Sequence, residues 1–370
     1  MRRIPLAKPY FTEEEVDEVR RTLNSGWVAQ GPRVKELEER IAEYTGVTHC
    51  VAVNSCTSAL HLSLLAHGIS EGDKVIIPDF TFIATGNVVL HVGAEPVIVD
   101  IDPTTLCIDV DCVKEKIDDG VKAIMPVHAF GYPASIQDIN RIAEEYGLVV
   151  IEDAALALGS ELEGRKIGSY GNTACFSLQG RKVITTGEGG LVVTSNDDIA
   201  EMIKALRSQG FFSQAGAQGG VNSTIFKMVG LSYRLSDIQA GIGLIQMRRI
   251  DDFIKRRMYL AEYYNDLLED SGLNIKPPIV QKNMRHNYQS YVVLLEESNR
   301  NDVILRLREK GVESTIGTYS LSAQPLFHRE EEFLNSRHAF EHSLALPMYH
   351  ELTEDDINYV IINLKEILKT

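Results

Sequence analysis

The chain has 370 residues, 44% of them apolar, which accommodates two domains and a sizeable buried core. Its 52 acidic residues outweigh 37 basic ones and leave a net charge of −15, excluding the basic face of a nucleic-acid binder but not a local phosphate site. Five cysteines (Cys50, Cys56, Cys107, Cys112, Cys175) with no CxxC pair fit a reducing cytoplasm, the opening Met1–Pro9 lacks the apolar core of a signal peptide, and no apolar run approaches the roughly 18 residues of a membrane span.

In chain order, the N-terminal segment is helical and charged, Thr12–Ser25 and then Pro32–Tyr44, with Thr12 and Glu15 spaced as a capping box. From about residue 50 to 196, short β-rich runs alternate with helical ones. The predicted strands are His49–Val53, Lys74–Ile77, Val97–Asp100, Ala123–Val127, Val149–Glu152, Ala174–Leu178 and Leu191–Thr194. Helices are expected over Ser58–Ala66, Thr81–Val92, Cys112–Asp118 and Ser135–Tyr146. The strands read as continuous apolar runs, as in an α/β domain whose mostly parallel sheet is covered by helices on both faces. The run Gly210–Asn222 reads as a loop of the kind that borders active sites. Past residue 247 the pattern changes to a long charged helix, Met247–Asp270, a strand, Ser290–Glu296, a helix, Asn301–Lys310, a short strand, Ser343–Leu346, and a closing amphipathic helix, Glu354–Leu368. This predicts a large α/β domain over 1–247 and a smaller α+β domain over 248–370.

The chemistry-bearing residues sit where these strands end. Val149–Ile151 runs into Glu152-Asp153-Ala154-Ala155, and Cys175-Phe176-Ser177 leads through Gln179-Gly180-Arg181 to Lys182 and the Gly-rich Thr186–Gly190. An acid at a strand end, a hydroxyl and a lysine in a Gly-rich turn are what pyridoxal 5′-phosphate (PLP) needs: the lysine forms a Schiff base with its aldehyde, and the acid pairs with its pyridinium nitrogen. Taken singly, Asp153 reads equally as a helix cap, and a lysine most often as a solvated surface charge. The strand-to-helix passage Asn54-Ser55-Cys56-Thr57-Ser58 offers hydroxyls and free backbone N–H groups to a phosphate, with Ser177 near it, although Ser/Thr caps are common without any ligand. Phe80 and Phe82 are core residues or, in one case, a lid lying flat on a cofactor ring.

Together these pieces resemble the DegT/StrS family of PLP-dependent sugar aminotransferases, within fold type I, the aspartate aminotransferase-like class. The resemblance spans nearly the whole chain. It runs from Ile4-Pro5-Leu6 and Gly26-Trp27 through Ser55–His61, Pro78…Phe82, Val127-His128…Pro133 and Glu152–Ala155 to Phe176-Ser177…Lys182…Gly190, Tyr233–Gln239 and Leu346-Pro347-Met348. It implies that Lys182 carries the cofactor and moves the substrate proton, and that Asp153 holds the pyridinium proton. Thr57 and Ser177, with the backbone at Cys56, would bind the phosphate, and Phe82 would stack on the ring. Arg234 would lie near the active site of a partner subunit, because the family builds its sites at a homodimer interface. Three positions depart from the family pattern: Leu156 stands where Gln, His or Glu is usual, Ser232 where Asn is usual, and Gln179 where His is frequent.

The resulting expectation is a cytoplasmic, homodimeric aminotransferase that moves an amino group from L-glutamate to a nucleotide-linked keto-sugar. Amination of a keto-cyclitol without a nucleotide remains open on the sequence, as does a non-catalytic binding or regulatory relative suggested by Leu156 and Ser232. Dehydration, performed by relatives that exchange the lysine for histidine, is opposed by Lys182.

Overall fold

The computed structural model describes residues 2–212, 225–226 and 228–369, so most of the expected Gly210–Asn222 loop lies outside the described residues. A seven-stranded sheet forms the centre, in the order His49–Val53, Gly190–Thr194, Thr173–Ser177, Val149–Asp153, Val121–Ile124, Lys74–Pro78, Glu95–Val99. The last five run parallel, whereas Gly190–Thr194 is antiparallel to both of its neighbours. Consecutive strand residues feed opposite cores: Val150 and Phe176 pack with helices Pro32–Thr45 and Ile136–Tyr146, while Ile151 and Cys175 pack with helices Cys56–Ala66 and Ile83–His91. Burial on both faces is why these strands carry unbroken apolar runs.

A second sheet of four antiparallel strands, ordered Ile275–Lys276, Tyr291–Leu295, Ser343–Leu346, Thr315–Ile316, packs against helices Ile250–Glu269, Arg300–Glu309 and Glu354–Leu368. The start of the chain reaches this layer, where Ile4 donates to the Gly311 carbonyl at 2.8 Å and joins the apolar cluster. Among the described residues, no helix is long and apolar enough to cross a membrane.

The expected capping box is present, with Thr12 capping helix Glu13–Ser25 and Glu15 returning its carboxylate to the Thr12 N–H at 2.8 Å. Several boundaries differ for physical reasons. Phe80–Thr81 is a short strand rather than the start of a helix, because it pairs with Tyr319–Ser320; the helix is Ile83–His91. Asp109 accepts from the Asp111 and Cys112 N–H groups, which starts the next helix at Val110 and not Cys112. The expected helix Met247–Asp270 is Ile250–Glu269, which starts later because a separate helix, Asp237–Met247, ends just before it. The two break at Arg249 (φ −115°, ψ 5°), whose guanidinium is drawn to Glu15. Helices Asp197–Arg207 and Asp237–Met247 were not expected, although Asn196 and the Ser236–Gln239 capping box announce both starts.

Candidate active site

The carboxyl ends of the parallel strands and the second sheet enclose a cavity of about 470 Å³, the size range of small-molecule sites. Nine of the sequence-predicted residues line it: Ser55, Cys56, Thr57, Phe82, Asp153, Leu156, Ser177, Gln179 and Lys182.

One wall is a helix start. Ser55 caps helix Cys56–Ala66, its Oγ accepting from the Ser58 N–H at 3.1 Å. Gly190 of the adjacent strand packs so closely that a Cβ there would come within 2.3 Å of the Ser55 carbonyl, so no side chain stands between sheet and helix. The first N–H groups of the helix, the Thr57 hydroxyl and Ser177 at the end of its strand supply donors for an anion. Cys56, at the same helix start, has its thiol pushed well up by burial and is no nucleophile.

Asp153 ends its strand almost fully buried. Its Oδ2 accepts from Thr85 Oγ1 at 2.8 Å and its Oδ1 from the Ala155 N–H at 3.2 Å. Thr81 Oγ1 lies 2.9 Å from Thr85 Oγ1, extending a chain of hydroxyls to the carboxylate. Burial raises the carboxyl pKa despite these donors and despite Lys182 and His128 nearby. A buried carboxylate held this way gains from a cationic N–H. Lys182, in the turn beyond Ser177, has its own pKa lowered by desolvation, which favours the neutral amine that adds to an aldehyde.

The strand-end neighbours Glu152 and Asp153 divide their labour. Glu152 points away from the cavity, where its Oε2 accepts from His128 Nε2 at 2.9 Å and its Oε1 from the Gly171 N–H at 2.6 Å, so it acts in the structure. Between Asp153 and the next parallel strand the chain forms the hairpin Glu161–Leu162/Arg165–Lys166.

Phe82 is 60% exposed and borders the cavity, its ring tilted against that of Tyr319 with centroids 6.2 Å apart. The short strand Phe80–Thr81 just before Phe82 pairs with Tyr319–Ser320, and buried Asp79 accepts from Ser320 Oγ and the Ser322 N–H, each at 2.6 Å. Leu156 presents an apolar side chain to the cavity, alongside Leu6 and Phe130. Ser232 and Arg234 do not line it. They lie beside the His49–Val53 strand, Arg234 bridging to Val53 and donating to Ser232 Oγ at 3.0 Å.

Sequence reasoning missed Thr85, Asp79 and Gln289. Thr85 sits in the first helical turn beyond Phe82, a spacing that could have pointed to it; for Gln289 no local signal exists. The residues present fit PLP: an anion cradle at a helix start, a buried carboxylate for the ring nitrogen, an amine, and an aromatic lid.

Known proteins agree with this geometry. The DegT/DnrJ/EryC1/StrS aminotransferase family model matches residues 9–365. The chain is 38% identical to the GDP-perosamine synthase of Caulobacter vibrioides, over 99% of this chain and 98% of that one. It is 34% identical to the spore coat polysaccharide biosynthesis protein SpsC of Bacillus subtilis, over 99% and 97%. The PLP form of a putative sugar aminotransferase from Streptococcus pneumoniae, Spr1654, superposes with a TM-score of 0.93 at 27% identity, covering 100% of this chain and 99% of that one. The chain therefore belongs to the DegT/DnrJ/EryC1/StrS aminotransferase family, PLP-dependent transaminases of fold type I.

Proposed function

We propose that this protein transfers the amino group of L-glutamate to the ketone of a nucleotide-linked keto-sugar, for amino-sugar or surface polysaccharide synthesis, with PLP joined covalently to Lys182. The observation that carries this reading is the convergence of Lys182, Asp153, Thr57, Ser177 and Phe82 on one cavity. The GDP-perosamine synthase relative supports a nucleotide-linked substrate, and SpsC a polysaccharide pathway.

When bound, the cofactor withdraws electrons from the substrate carbon that loses its proton. The chain supplies the rest. Asp153 keeps a proton on the ring nitrogen. Ser55, Thr57, Ser177 and the Cys56 N–H would hold the cofactor through its phosphate, and Phe82 would cover its ring. Lys182 Nζ would carry the proton to and from the substrate carbon. Gln179 and Arg181 line the same cavity and would meet the substrate. Leu156 would leave the cofactor's phenolic oxygen without the side-chain donor usual in the family. Ser232 and Arg234, outside their own cavity, serve the site of a second subunit in a homodimer. In this reading residues 1–247 hold the cofactor, 248–370 close over the substrate, and the enzyme works in the cytoplasm.

The test is to record the visible spectrum of the purified protein, then screen keto-sugar nucleotides with glutamate while following 2-oxoglutarate. Turnover with a keto-cyclitol and with no sugar nucleotide would refute the substrate assignment.

A further inference from the structure

The short segment His286-Asn287-Tyr288-Gln289 is buried throughout and bonds both to the loop after Asp153 and to the turn bearing Lys182. Gln289, which lines the cavity, spreads its carboxamide across the lysine turn: Oε1 accepts from the Val183 N–H at 2.8 Å and Nε2 donates to the Arg181 carbonyl at 2.7 Å. Those two peptide groups flank Lys182. Asn287 Nδ2 donates to the carbonyls of Leu156 and Leu158 at 2.9 and 3.0 Å, in the loop that follows Asp153. Asn287 Oδ1 accepts from the Gln289 backbone N–H at 2.9 Å, tying the Asn287 carboxamide to the backbone that carries Gln289.

This segment is itself firmly held. Buried Arg257 donates to the carbonyls of Tyr288, Gln289 and Met348 at 3.0, 3.2 and 3.3 Å. Tyr288 has φ 47°, a left-handed conformation that a tyrosine keeps only where its surroundings over-determine it. The turn bearing Lys182, by contrast, is closed chiefly by its own bonds: Lys182 N–H to the Gln179 carbonyl at 2.9 Å, Arg181 N–H to Gln179 Oε1 at 3.0 Å, and Thr186 N–H to the Leu178 carbonyl at 3.0 Å. Such bonds fix the shape of the turn and hold its ends at the strand Thr173–Ser177, which pairs with the Asp153 strand, whereas the peptide groups on either side of Lys182 are held from outside the turn by Gln289.

We propose that Gln289 is a positioning residue for the transamination, clamping the backbone on both sides of Lys182 at a set distance from Asp153. The inference rests on Lys182 being the covalent anchor. The Lys182 amine hangs on four methylenes and must meet both the cofactor and the substrate carbon, so a shifted Cα displaces it or forces another rotamer. A misplacement of about 1 Å suffices to slow chemistry on the order of a hundredfold.

The test compares Gln289→Glu and Gln289→Ala with the wild type. Glutamate keeps the acceptor for the Val183 N–H, but when ionised it loses the donor and sets a charge against the Arg181 carbonyl; protonated, it donates again. Apoenzyme is mixed with PLP, and the covalent adduct is followed by its visible band and by borohydride trapping. At pH 8 both variants are expected to attach PLP at least tenfold more slowly and to lose about a hundredfold in kcat, with KM for glutamate within threefold. The Gln289→Glu deficit relative to wild type shrinks as pH falls, a dependence that lost stability alone would not give. If the alanine variant fails to fold, the glutamate variant decides alone. Attachment and kcat within twofold of wild type, or a Gln289→Glu deficit unchanged from pH 8 to pH 5, would overturn the proposal. Lys182→Ala is run in parallel: an adduct persisting there refutes Lys182 as the anchor, whereas its loss beside normal Gln289 variants refutes only the positioning role.

Discussion

Replacing Asp153 by Asn should strengthen the empty protein while disabling the loaded one. Burial raises the Asp153 pKa, so the folded chain holds this proton more tightly than the unfolded chain does. Below the unfolded value near 3.8, both states are protonated and the group is neutral in its effect. As pH rises toward the folded pKa, the unfolded state ionises first and stability is lost; above the folded pKa, the whole penalty is present. Each unit of upward shift is worth about 1.4 kcal/mol, which in a 370-residue chain corresponds to a Tm change of about 2 °C. Asparagine removes this penalty without orphaning a partner. Its Oδ1 can accept from the Ala155 N–H, and its Nδ2 can donate to Thr85 Oγ1, whose proton then turns to Thr81 Oγ1, 2.9 Å away. Thermal melts of PLP-free Asp153→Asn should therefore exceed wild type at pH 8 and converge with it toward pH 4. With PLP bound, a neutral amide no longer stabilises the ring-nitrogen proton, and kcat should fall by about 10²-fold or more. An apo variant less stable than wild type at pH 8 would refute the claim that Asp153 is held at a cost, and near-normal turnover would remove it from the chemistry.

Glu152→Gln should do the reverse. Its amide nitrogen must face either the Gly171 N–H or the donors from His128 and Gly168, leaving a buried donor unsatisfied, a loss of about 1–3 kcal/mol seen in denaturant melts with kcat of the folded fraction unchanged. Leu156→Gln should place a donor in the cavity beside the cofactor's phenolic oxygen and shift the pH at which the visible band changes, whereas superimposable titrations would show that Leu156 does not face that oxygen. Mixing inactive Lys182→Ala and Arg234→Ala proteins should regain activity through hybrid dimers with one intact site, and an active monomer in sedimentation would contradict the shared-site reading.

What the sequence disclosed and what it hid follow from one distinction, between interactions local in the chain and interactions that arise only on folding. The central strands were legible because burial on both faces demands unbroken apolar runs, and Val149–Asp153 and Thr173–Ser177 differ from expectation by a residue at their ends. Asp153, Ser177 and Lys182 were legible because a parallel sheet delivers its strand ends to one edge, so strand-end chemistry is already site chemistry. There the sequence points to Asp153 and not to its neighbour Glu152, and the folded chain separates the two. Alternation along a strand sends one carboxylate to His128 and the other to the cavity, but which goes where depends on the faces the neighbouring strands and helices present. Gln289 and Asn287 lay beyond reach altogether. Nothing near them marks a turn, a cap or a ligand, and their partners at Leu156, Leu158, Arg181 and Val183 are more than a hundred residues earlier. Long-range amide clamps leave no periodicity in a sequence, and in this protein they join the acid-bearing loop to the lysine-bearing turn.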